Sequence, residues 1–133
     1  CGYKGHWEAY ASAKNLPGFF AAWREEAGTR DVAFDAGSTR AIFEAARDED
    51  PVALAFMEAL GQVNARGVSG VIVAYNPEII VLDGPLARFH GDIVIRHMEP
   101  YIDRYLALPR LVVSGLGGRS PLLGAAAYAL EAR

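Results

Sequence analysis

Cys1 is the one cysteine in the 133 residues, so no internal disulfide can form and an oxidising compartment gains no support. Positive charge is also short: 13 Lys and Arg against 16 Asp and Glu leave a formal charge of −3. No run of Lys or Arg offers a phosphate-tracking stripe, which argues against a nucleic-acid partner for this chain. No apolar stretch reaches the roughly 18–20 uninterrupted residues of a membrane span. No basic segment followed by an apolar one marks a signal peptide. These absences predict a cytoplasmic protein with no membrane partner. An initiating methionine is missing too. The chain opens CGYKGHWEAYAS, and Cys1 is expected to be an internal position of something larger.

What is present reads as one globular domain's worth of chain, 52% hydrophobic and 22% charged. Residues 7–25 predict helix in two pieces, broken at Leu16-Pro17-Gly18, with Phe19, Phe20 and Trp23 as a core or interface stripe. Gly28 to Thr39 reads as a surface loop, and Ser38 as the cap of a short helix through Arg47. Asp50-Pro51 is a stronger start signal, because Asp accepts first-turn N–H groups and Pro has none to lose. That helix is expected to run to about Tyr75. Its stripe includes Phe56 or Met57, Leu60, Val63 or Asn64, Val68 and Ile72. Gly61, Gly67 and Gly70 should each weaken it by roughly 1 kcal/mol relative to Ala, which predicts another backbone packed closely against them.

After Asn76-Pro77 the period changes. EIIVLDG is a nearly continuous apolar run closing on Gly84, as a buried parallel strand would be. A helix from about Asp92 to Leu106 follows, with Pro100 as its kink or break. Then come a second run, RLVVSGLGG, and a last helix, Pro121 to Arg133, with Ser120 as its cap. Helix, proline, β run, glycine turn and helix thus occur twice, a spacing that predicts parallel strands joined by a crossover. Ligands of such sheets sit beyond the carboxyl ends of the strands, which places Asp83-Gly84-Pro85 beside Ser114 to Gly118. Two strands do not make an independently stable sheet. Either a second copy or strands upstream of Cys1 should complete it, and self-association into a homo-oligomer is expected. His90 and His97 read as surface residues, and Asp92 and Asp103 as solvated helix residues.

The order CGxxGHxEAYAS, NPEIIVLDGPLA and SPLLGAAAYAL resembles the C-terminal part of the ROK family of sugar kinases and sugar-responsive repressors. The likeness extends from the first residue nearly to the last. It implies an α/β fold: residues 1–133 as a single partial domain, the C-terminal lobe of an actin-like, ribonuclease-H-like kinase. It implies a hexose and ATP with Mg²⁺ as ligands, Glu8 as a contact to sugar hydroxyls, and Asp83, Gly84 and Pro85 beside the nucleotide. It also implies a structural zinc, for which Cys1 and His6 would be two of four ligands, the others lying upstream. His6 stands where the family usually has cysteine, and LDGPLA where its kinases usually have LGGGV.

Asp83 and Pro85 thus replace glycines, removing conformational freedom and a backbone donor near the nucleotide. No DxGxT phosphate loop precedes these motifs, nor the Asn-Asp pair that carries the catalytic base. DAGST at 35–39 copies the loop's letters without a preceding strand and in the wrong order. No catalytic residue is therefore expected in this chain. A glucokinase-like kinase is the leading expectation for the parent protein, with a repressor's sugar-sensing lobe and a stand-alone dimerisation module as alternatives.

Overall fold

The computed structural model describes residues 4–29 and 31–131. In chain order these form α1 (Glu8–Ala11), α2 (Leu16–Glu26), α3 (Thr39–Arg47), α4 (Pro51–Tyr75), β1 (Ile79–Leu82), α5 (Pro85–Met98), β2 (Arg110–Val113) and α6 (Ser120–Glu131), with a 3₁₀ turn at Glu99–Tyr101.

The 25-residue helix α4 is the spine, and its ends follow from its termini. Asp50 Oδ1 accepts from the N–H groups of Val52 and Ala53, each at 2.9 Å, and Pro51 occupies the first turn. At the other end Asn76 turns left-handed (φ 43°), and its N–H donates to Ile72 O at 2.8 Å. The first half of α4 serves one core, in which Phe56, Met57 and Leu60 meet Leu16 and Phe20 of α2 and Ile42 and Phe43 of α3. Burial of each such side chain contributes about 1.5–3 kcal/mol. The second half serves another core: Ala65, Val68 and Ile72 pack with Met98 and Ile102 under Ile80, Leu82 and Leu111 of the strands. Phe20 and Phe56 meet edge to face at 4.8 Å, so the expected Phe19, Phe20 and Trp23 stripe is core.

The strands pair in parallel, with Ile79 opposite Arg110 and Leu82 opposite Val113. They are the two strands of the described residues, as the sequence predicts. Their outer positions stay open, with Val81 55% exposed. None of the twelve residues of α6 is buried.

Several expectations need correcting. The break in residues 7–25 falls at Ser12–Asn15. Leu16-Pro17 instead starts α2, because proline is accommodated in a first turn. α5 starts at Pro85 rather than Asp92, and Pro100 lies in the 3₁₀ turn. Its inner face becomes regular only when Ala87, His90 and Gly91 are read as buried positions ahead of Ile93, Val94 and Met98. His90 is buried and stacks on Phe43 with ring centres 4.2 Å apart. His97 is half-buried and pairs with Glu58 at 2.8 Å. Asp92 is exposed but not simply solvated, since its carboxylate accepts from Arg47 Nη2 at 2.7 Å. Close backbone packing holds for Gly61, which lies on the carbonyl of His97. At Gly67 a Trp7 side chain takes that place, and at Gly70 there is open space. DAGST is the entry to α3: Ser38 Oγ accepts from Ala41 N, and Asp35 Oδ1 from Gly37 N.

Candidate functional site

The four-residue helix α1 is too short to hold itself by backbone hydrogen bonds alone, and no side chain caps its N-terminus. Neighbours set its place. The Trp7 indole N–H donates to Asn64 Oδ1 of α4 at 2.8 Å, and its ring fills the space left by the missing side chain of Gly67. Asn15 Nδ2 donates to the Glu8 carbonyl at 3.1 Å, and Tyr10 meets Phe19 edge-on at 5.3 Å. Glu8 begins the helix with its side chain exposed, a favourable end for a carboxylate.

The second part of the site is the turn after β1. Gly84 has φ 97° and ψ 176°, a region open essentially to glycine, and it hands over to Pro85 in the first turn of α5. A Cβ at Gly84 would meet nothing within 4 Å, so the backbone conformation and not crowding requires glycine here. The Ser120 hydroxyl, then the Gly84 N–H, then the Ser114 hydroxyl hold the Asp83 carboxyl below its ordinary range. Ser114 Oγ and Ser120 Oγ lie 3.2 Å apart, and Ser114 N donates to Leu82 O at 2.8 Å. Asp83 therefore ties the end of β1 to the end of β2 and the start of α6. Gly117 and Gly118, both at positive φ, complete this edge as turn residues, and Arg88 Nη1 donates to Gly117 O at 3.2 Å.

A cavity of about 180 Å³ lies between the two parts. Trp7 and Ala11 from the first part, Leu82 and Asp83 from the second, and Asn64 and Met98 are among the residues that line it. The residue next to Glu8 and the first residue of the expected nucleotide turn thus share one space. Glu8 itself is not on its wall. Asn64 is 4% exposed, and its Nδ2 has no partner among the described residues. A buried orphan donor costs about 1–3 kcal/mol, more than one ordinary hydrogen bond returns. Asn64 is consequently a poor choice for stability alone.

Of the expected zinc pair, Cys1 lies outside the described residues and His6 is exposed just ahead of α1. Among the described residues no group of three His, Cys, Asp or Glu gathers as a metal site, so these residues do not by themselves fit a zinc centre. A larger depression, about 700 Å³, lies over Arg40, Glu44, Arg47, Phe89 and His90. Its charged groups are engaged with one another. Arg40 pairs with Glu44 at 2.6 Å, while Arg47 contacts Asp92 and His90 Nδ1.

The sequence alone puts Asn64 in the α4 stripe and Ser114 at the binding edge without giving either a partner, and Ser120, expected to cap α6, lies inside its first turn, where its hydroxyl serves Asp83. For Asn64 a signal existed: an amide in the apolar stripe of a long helix needs a partner.

Comparison with known proteins identifies the family and the fold. The family model of the ROK family matches residues 1–132. A glucokinase of Pyrobaculum calidifontis is 30% identical over 133 residues, covering 98% of this chain and 42% of that protein. A glucokinase of Aeropyrum pernix is 31% identical over 114 residues, 80% of this chain and 34% of its own length. A glucokinase of Thermotoga maritima is 29% identical over 140 residues, 98% and 44%. The chain thus spans less than half the length of these relatives. In fold it resembles a crystallised ROK family glucokinase from Streptomyces griseus, in complex with glucose and AMPPNP. The TM-score is 0.70 at 23% identity, over 96% of this chain and 45% of that one. The helix-rich α/β arrangement with two parallel strands is therefore that of part of an actin-like kinase. The chain belongs to the ROK family.

Proposed function

We propose that this chain is the C-terminal lobe of a glucokinase-like sugar kinase that transfers the γ-phosphoryl group of ATP to a hexose hydroxyl. The observation that carries the reading is the shared cavity, which brings Trp7, the neighbour of Glu8, to the Asp83-Gly84 turn. The three glucokinase relatives favour a kinase over a repressor. On this reading the exposed Glu8 carboxylate accepts hydrogen bonds from sugar hydroxyls. At the turn Gly84 has no side chain and open space around it, which lets a nucleotide approach the start of α5.

Asp83 keeps its carboxylate turned to Ser120 and Ser114, so the nucleotide meets backbone at Gly84 more than a free charge. ATP with Mg²⁺ supplies the phosphoryl group. Positioning the attacking hydroxyl and neutralising the phosphates need groups that these 133 residues do not combine. A second lobe is proposed to bring them, and the isolated chain is expected to be inactive.

The test is an assay of hexose-dependent ADP formation by the whole protein that carries this sequence. Glucose-dependent turnover that drops in Glu8→Gln through weaker sugar binding supports the kinase. Sugar binding without turnover, in a protein with an upstream helix-turn-helix, would establish a repressor's sensor lobe instead.

A further inference from the structure

The position of Glu8 depends on α1, and α1 has no buried residue of its own to fix it. Ala11 packs on the core, and the polar tie to the spine is the indole of Trp7, through a hydrogen bond that spans 57 residues of sequence. That bond has a direction. Asn64 Oδ1 faces the indole N–H, and a flipped amide would set donor against donor. Gly67, one turn further along α4, gives the ring its place, since a Cβ there would overlap the indole. Asn64 is 4% exposed and leaves Nδ2 unpartnered among the described residues, so its polarity serves Trp7 at the expense of its own second donor.

We propose that Asn64 and Gly67 are positioning residues for sugar recognition: together they seat Trp7 and thereby aim the carboxylate of Glu8, the next residue. The proposal rests on the sugar role of Glu8 given above. It predicts that disturbing the seat weakens sugar binding without touching the sugar or the nucleotide turn.

The experiment uses the whole protein carrying this sequence, with Trp23→Phe as background and Trp7→Phe to identify the Trp7 indole N–H resonance by NMR. The variants are Asn64→Leu, which removes the acceptor for the indole, and Gly67→Ala, which fills its place. The expected result is a shifted indole resonance and a roughly tenfold higher KM for glucose in Asn64→Leu and Gly67→Ala, as displaced positioning groups give. KM for ATP stays unchanged. Urea unfolding identifies any variant that does not fold. If Asn64→Leu fails there, Gly67→Ala carries the test.

A shifted resonance with unchanged KM for glucose would make the seat merely structural and overturn the proposal, as would an unmoved resonance. A background protein that neither binds nor phosphorylates glucose would sink the kinase reading and this inference with it. In that case the indole shift would still report the bond, so the two failures remain distinct.

Discussion

Gly61 of α4 rests directly on the backbone carbonyl of His97 in α5, with no room for even a methyl group between them. The two helices are thus in contact backbone to backbone at this point, and the contact can neither flex nor fill. Gly61→Ala is expected to destabilise the fold by about 1–3 kcal/mol through overpacking, read as a lower urea midpoint. Gly70 on the same helix faces open space, and Gly70→Ala should stabilise by about 0.5–1 kcal/mol through helix propensity alone. Equal effects of the two substitutions would refute the close approach.

Acid should loosen the junction of α3 with α5. Burial first, then the Arg47 guanidinium, hold the His90 imidazole below its ordinary value of 6.5, against the opposing pull of Asp92 and Glu44. The folded chain binds fewer protons here than the unfolded one. The contribution is therefore fully present above pH 6.5 and declines as pH falls from there through the lowered native value. Urea unfolding at stepped pH should show this slope, and His90→Gln should flatten it.

Glu58 accepts from the Tyr101 hydroxyl at 2.6 Å and lies 2.8 Å from His97 Nδ1. The Tyr101 hydroxyl first, then His97, hold its carboxyl below 4.5. Stability from this group is present above pH 4.5 and lost as pH falls through the depressed value. Tyr101→Phe should move the Glu58 titration, followed by carboxyl NMR, back toward its ordinary value. A titration that does not move would mean the hydroxyl bond is not kept in solution.

Local chemistry made some of this fold legible in the residues. Asp50-Pro51 and Ser38 mark helix starts because their side chains answer first-turn N–H groups, and both helices begin there. The two β runs and their parallel pairing followed from apolar continuity and spacing. What escaped depends on partners distant in sequence. His90 is buried because Phe43 covers it, which no periodicity in α5 alone reveals. Proline at 17 and at 85 reads equally as a break or a start until the flanking turn is known. The family motifs single out Glu8 and the Asp83 turn, and with them the sugar and nucleotide roles proposed above. Asn64, which joins α1 to the spine, was visible only as an amide in the wrong stripe.

The turn at Gly84 gives a backbone prediction. Alanine there would have to adopt φ 97° and ψ 176°, at a cost of about 1–3 kcal/mol. Gly84→Ala should therefore lower the urea midpoint although there is space for its methyl group. Gly5→Ala, at positive φ in an exposed turn ahead of α1, is the comparison for strain away from the sheet.

With twelve residues and no buried side chain, α6 has little but its own backbone to keep it helical, and isolated helices of about 12–15 residues are marginal in water. Leu122, Leu123, Tyr128 and Leu130 are all open to solvent. The helix therefore acts as a built-in reporter. Amide exchange along it should be fast wherever that face is bare and slow wherever another surface covers it. The protected fraction counts the molecules whose apolar side is occupied.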